Sequence, residues 1–119
     1  MQRAEIVKEK MKENDRLFLS IHLKTANANF ILLSEDEDRL GTLAVALPQA
    51  QRMLGPPLSS ILLGERNTLI ARLLAEQLAK TTETIALVSV FAKTLTEKEA
   101  SSVFLKLFRK TLKKRSRRE

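Results

Sequence analysis

The stretch that decides the fold is residues 58–94, LSSILLGERNTLIARLLAEQLAKTTETIALVSVFAKT. Residues 59–63 (SSILL) become apolar from Ile61 onward and end at Gly64, which predicts a short strand followed by a turn. Apolar residues then recur with helical spacing after Asn67, a residue type that favours the N-cap position. Residues 84–91 follow as the strongest predicted strand of the chain. The stretch therefore predicts a strand–helix–strand unit.

Two of the predicted strands, residues 40–47 and 84–91, are apolar at successive positions and not only at alternate ones. A strand that is apolar on both faces needs cover on both faces. The helices of the chain can cover one face, and we expect a second subunit to cover the other. The interface predicted on this basis comprises Leu43, Val45, Leu47, Ala86, Val88 and Val90.

The N-terminal part of the chain predicts further strands joined by short turns. Residues 15–24 alternate between apolar and polar side chains, which is typical of a half-buried strand. Residues 28–34 and 40–47 continue an antiparallel meander with them. Residues 1–14 carry a thin apolar stripe that fits either a short helix or a frayed arm.

A capping box of Thr96 and Glu99 predicts that a long second helix begins there. We predict one α+β domain over residues 15–112, followed by a basic tail over residues 113–119. Its sheet is expected to be single and mostly antiparallel, with the element order β-β-β-β-α-β-α and both helices on one face. The other face is expected to pair with a second subunit.

Composition limits the classes of function. With 44% apolar residues in 119, the chain predicts a folded globule. It has no cysteine, and His22 is its only histidine, so we interpret His22 as a strand residue and not as a metal ligand. No nucleophile–base pair or phosphate-binding loop stands out, so we predict a non-enzyme without metal or cofactor. With no secretory signal and no long apolar run, a cytoplasmic protein is expected.

The net charge of +7 is concentrated at one end of the sequence. Thirteen basic side chains precede Lys106 and are balanced by thirteen acidic ones, so the excess lies in the last part of the chain. Such a tail can bind RNA, an acidic protein surface or a membrane. The alternative is that it is only the solubilising end of a helix. Nucleic acid is not favoured as the main partner, and no membrane partner is expected. The predicted tail contacts are Lys113, Lys114, Arg115, Arg117 and Arg118.

Three further groups are candidate sites. The acidic residues 35–38 lack the ligand spacing of a calcium loop and are interpreted as a solvated turn. Gly64 and Asn67 are interpreted as a turn and a cap, because the lysine and glycines of a phosphate loop are missing. Met53 and Leu54 lie on a proline-braced loop, where they fit a partner contact and burial under the sheet edge equally well.

Several segments occur in an order that resembles a known family. They are residues 39–43 (RLGTL), 62–64 (LLG), 69–70 (LI) and 85–90 (IALVSV). In this order, and over about residues 39–112, the chain resembles the eukaryotic proteasome assembly chaperone 3 family, which is related to the fourth assembly chaperone. The resemblance implies a small α+β fold that pairs through its sheet into a homodimer or a paralogous heterodimer. It also implies binding to proteasome α subunits to promote α-ring assembly, without catalysis or cofactor.

The chain departs from that family at its C-terminal tail, which is more basic than the resemblance implies. It also lacks a hydrophobic-Tyr-X ending, so insertion of the C-terminus into α-ring pockets is not expected. Our hypothesis for the client contact is Met53 and Leu54, together with the acidic turn. Two other functions stay open: a small nucleic-acid-binding protein that acts through the basic tail, and a roadblock- or profilin-like scaffold module.

Overall fold

A computed structural model describes residues 2–49 and 58–118 of the chain, with side chains up to Arg115. Within these residues it forms one six-stranded sheet and two helices, so the α+β class is confirmed. The elements are β1 (Glu5–Glu13), β2 (Arg16–Lys24), β3 (Ala28–Glu35), β4 (Thr42–Ala46), β5 (Ser59–Leu63), α1 (Thr68–Thr82), β6 (Ile85–Phe91) and α2 (Glu97–Arg118).

The sheet is mixed, with β6 near its centre. The strand order is β1-β2-β3-β6-β4-β5, in which β3 and β6 are parallel and all other neighbours are antiparallel. The α1 crossover lets β6 enter between β3 and β4, which a tight turn could not do. The predicted meander is therefore wrong at its third strand, because β4 pairs with β6 and β5 and not with β3.

An additional strand, β1, occupies the region that the sequence assigned to a short helix or frayed arm, residues 1–14. Asn14 and Asp15 have φ angles of 53° and 62°, the signature of a type I′ turn between antiparallel strands. β1 then pairs with β2 along its whole length. Val7 is buried while its neighbours are exposed, so the apolar pattern here has a period of two.

Both helices pack on the same face of the sheet. Val7, His22, Ile31, Val88 and Ala44 lie in register across five strands on this face, and all five are buried. The helix side chains that complete the core are Ile70, Ala71, Leu74, Ala75, Leu78, Ala79, Ala100, Val103, Phe104, Leu107 and Phe108.

The two helices begin differently. α2 has the predicted capping box: the Thr96 N–H donates to Glu99 Oε1 at 3.0 Å, and the Glu99 N–H donates to Thr96 Oγ1 at 3.2 Å. The hydrogen bonds from Thr96 hold the pKa of Glu99 below its ordinary value. α1 begins after Asn67 as predicted, but the Asn67 side chain makes no capping bond. Its backbone N–H instead donates to Glu97 Oε1 at 2.9 Å, a contact between the two helix starts.

Candidate interaction surface

Neither helix covers the opposite face of the sheet, and that face is apolar. One row across it contains Leu23, Phe30, Leu87 and Val45, which are paired in register and half-buried. In other proteins, large exposed apolar patches are typical of interaction sites. We call this surface the open face and define it by the apolar side chains of the four central strands: Leu17, Leu19, Ile21, Leu23, Phe30, Leu32, Leu43, Val45, Ile85, Leu87 and Phe91.

The structure divides the predicted interface residues between the two faces. Leu43 and Val45 belong to the open face, and Leu47, just after β4, is 52% exposed. The other three, Ala86, Val88 and Val90, are completely or almost completely buried under the helices. The prediction that these three residues face a partner is therefore wrong. Alternate residues of β6 point to opposite faces of the sheet, and these three point to the helices. The interface itself stays a prediction.

The acidic turn is not uniformly solvated, because its first residue is buried. The Glu35 carboxylate accepts hydrogen bonds from the Lys93 N–H at 2.9 Å, the Thr94 N–H at 3.2 Å and the Thr94 hydroxyl at 2.7 Å. It thereby anchors the link between β6 and α2 to the end of β3. Asp36 and Glu37 are exposed, and both lie 3.3 Å from Lys93 Nζ.

The contacts of Glu35 determine its ionisation. Burial raises the pKa of this carboxyl, but the hydrogen bonds from Thr94 and Lys93 and the charge of Arg16 outweigh that effect. The net result is a pKa below the ordinary value of 4.5. The sequence pattern did not distinguish Glu35 from the acidic residues that follow it.

His22 is a buried strand residue whose ring is held by two neighbours. The Arg115 Nε–H donates to His22 Nδ1 at 2.9 Å, and Arg115 Nη2 donates to the His22 carbonyl oxygen at 2.9 Å. Because arginine cannot accept a hydrogen bond, Nδ1 carries no proton and Nε2 donates to Asn29 Oδ1 at 2.8 Å. The Asn29 amide in turn donates to Thr84 Oγ1 at 2.9 Å. This network connects β2, β3 and the end of α2.

The C-terminal basic residues do not form the separate tail that the sequence predicted, because α2 continues to Arg118. Arg115 is only 7% exposed and is part of the His22 network. Lys114 donates to the Lys8 carbonyl oxygen at 2.5 Å, whereas Lys113 is exposed. The prediction that Arg115 is an exposed contact residue of the tail is therefore wrong, because its side chain is buried. The side chains of Arg117 and Arg118 lie outside the described residues.

Met53 and Leu54, the predicted client contact, also lie outside the described residues. In residues 2–49 and 58–118, no group of three or more histidine or acidic side chains could hold a metal ion. No helix in the described part of the chain is long and apolar enough to cross a membrane.

The fold is similar to that of a chain in the crystal structure of a novel chaperone complex for yeast 20S proteasome assembly. The TM-score is 0.69, and the match covers 92% of this chain and 93% of that chain at 11% sequence identity. At this identity the similarity shows a shared fold. No family model matches the sequence, and no curated protein matches it.

Proposed function

We propose that this protein is a non-enzymatic chaperone of 20S proteasome assembly, which pairs with a second chain and binds proteasome α subunits while the α-ring forms. The observation that carries the proposal is the fold similarity, which extends over almost the whole of both chains. The order of the sequence segments in residues 39–112 supports the same function independently, because it resembles a family of such chaperones.

The open face is the proposed pairing surface. Its side chains come from β2, β3, β4 and β6, so it occupies the centre of the sheet and not one edge. Packing against a second sheet would bury residues such as Phe30, Leu87 and Val45, which the helices leave half-exposed. The partner is an identical chain or a paralogue.

The client contact is a second part of the proposal. Met53 and Leu54 remain the candidates, together with Asp36 and Glu37 of the exposed acidic turn.

The test is native mass spectrometry of the tagged protein co-expressed with proteasome α and β subunits from its own source. We expect a complex of two chaperone chains with α subunits, which disappears when β subunits are incorporated. Replacing Met53 and Leu54 by serine should reduce α-subunit capture without loss of pairing. A paired protein that ignores α subunits would overturn the chaperone function and favour a scaffold module of the same fold.

A further inference from the structure

One edge of the molecule carries almost the whole excess of positive charge. Here β1 lies beside residues 106–115 of α2, although the two segments are at opposite ends of the sequence. We call this surface the cationic edge. Its three carboxylates are those of Glu5, Glu9 and Glu13, and its nine cations are Lys8, Lys10, Lys12, Lys106, Arg109, Lys110, Lys113, Lys114 and Arg115.

The alternation of β1 separates its charges by face. The carboxylates point toward α2, where Lys106 Nζ lies 2.8 Å from Glu13 Oε1 and Arg115 Nη1 lies 3.2 Å from Glu5 Oε2. The lysines Lys8, Lys10 and Lys12 lie at even-numbered positions, whereas the glutamates lie at odd-numbered ones. The lysines therefore point to the side of the open face. The carboxylates of β1 thus pair with Lys106, Lys110 and Arg115 of α2 and leave the lysines of β1 without a carboxylate partner.

Five exposed cations of the edge have no ion pair among the described residues, and neither does the half-buried Lys114, whose ammonium donates to the Lys8 carbonyl oxygen. Three of the five are lysines of β1, which pair in register with apolar members of the open face in β2. The other two are exposed residues of α2. The three lysines of β1 lie on one side of one strand and repel one another, and an acidic partner would relieve that repulsion. The five are Lys8, Lys10, Lys12, Arg109 and Lys113.

The outer backbone of β1 is not free to pair with another strand. Lys110 Nζ donates to the Lys10 carbonyl oxygen at 2.9 Å, and Lys114 Nζ donates to the Lys8 carbonyl oxygen. The Lys10 N–H donates to Glu9 Oε1 at 2.9 Å. Side chains therefore occupy part of the outer backbone of β1 and oppose strand addition at this edge, so we expect a ligand here to be recognised through side-chain charge.

We propose that the cationic edge is a docking surface for an acidic, extended polypeptide segment of a partner protein. Lys8, Lys10 and Lys12 are spaced by roughly 6.6 Å, twice the rise per residue of a strand. An extended peptide with a carboxylate at every second residue has the same spacing. The proposal does not depend on the client contact proposed above.

The chemistry of the edge favours an acidic protein segment over nucleic acid. Among the five unpaired cations only Arg109 is an arginine, the residue whose fork-shaped guanidinium binds phosphate in a bidentate manner. Single-stranded nucleic acid is also held by stacking on aromatic side chains. β1 contains no aromatic residue, and Phe108 of α2 is buried.

The test measures binding of a fluorescein-labelled (Glu-Ser)6 peptide to the full-length chain by fluorescence anisotropy at 50 mM and 300 mM NaCl. We expect binding that weakens steeply with salt, and no binding of (Gln-Ser)6. Lys10→Gln/Lys12→Gln should raise the Kd roughly five- to tenfold. Both lysines are exposed, so circular dichroism should show an unchanged fold.

The matched control is Arg72→Gln/Lys80→Gln on the exposed surface of α1, which removes the same net charge and should change the Kd by less than about twofold. Equal weakening by the two variants would overturn the proposal, since the peptide would then respond only to net charge. So would no binding of (Glu-Ser)6 at 50 mM NaCl. Tighter binding of U12 RNA than of (Glu-Ser)6 at the same salt would reassign the edge to nucleic acid.

Discussion

Gly41 lies so close to a neighbouring strand that no side chain fits there. A Cβ at this position would lie 2.1 Å from the carbonyl oxygen of Val90 on β6. The strands would have to separate, so we expect Gly41→Ala to lower the free energy of unfolding by about 2–3 kcal/mol in urea denaturation. Ser60→Ala on the edge strand β5 should change it by less than about 0.5 kcal/mol. A Gly41→Ala protein as stable as the wild type would show that this close approach is absent.

Glu35 should make stability depend on pH in the acid range. Its pKa is lower in the folded chain than in the unfolded one, so its contribution is complete above about pH 5 and is lost as the pH falls through the folded pKa. At pH 7, Glu35→Gln should lower the free energy of unfolding by roughly 1–3 kcal/mol, because hydrogen bonds to a charged group are weakened. The difference between wild type and variant should shrink between pH 6 and pH 3. A difference that is constant over this range would contradict the assignment.

At the scale of elements, the end of α2 is held to the sheet by one buried side chain. Arg115 contacts His22 on β2 and Glu5 on β1, and its replacement removes both hydrogen bonds. Arg115→Met should therefore lower the free energy of unfolding by about 2 kcal/mol and increase hydrogen exchange in β1. Lys113→Met, two residues away and exposed, is the control and should have little effect. Equal effects of the two substitutions would show that α2 is not held through Arg115.

The turn between β1 and β2 can be stabilised by a substitution at its second residue, Asp15. Asp15 adopts a φ of 62°, which glycine adopts without the steric penalty of a side chain. Asp15→Gly should raise the free energy of unfolding by about 0.5–1 kcal/mol, or the melting temperature by a few degrees. Lower stability in this variant would indicate that the Asp15 side chain, and not the turn geometry, supports the hairpin.

At the scale of the whole molecule, pairing through the open face depends on its apolar centre. Leu87 lies in the middle of that face between β3 and β4, so Leu87→Lys should halve the molar mass measured by light scattering at about 50 µM. Leu69→Lys on the outside of α1, where Leu69 is 69% exposed, should leave the mass unchanged. A wild-type chain that is monomeric at this concentration would contradict pairing between identical copies. A Leu87→Lys protein with the wild-type mass would exclude the open face.

The sequence by itself determined the elements that depend on local patterns. The capping box at Thr96, the α1 stripe and the alternation of β2 each follow from contacts within a few residues, and each appears where it was predicted. β1 was missed because charged residues at most of its positions hid a pattern of period two, and the Asn14-Asp15 turn was not recognised.

Only the tertiary structure decided which distant residues meet and which side of a strand faces the helices. β6 is apolar at most positions, so its pattern could not show that Val88 faces the core and Leu87 the open face. The burial of Glu35 and Arg115 likewise depends on partners more than fifty residues away in sequence. The cationic edge joins the two ends of the chain, and the sequence placed its charge on a tail. Such contacts arise from the packing of β1 against α2, which no local pattern encodes.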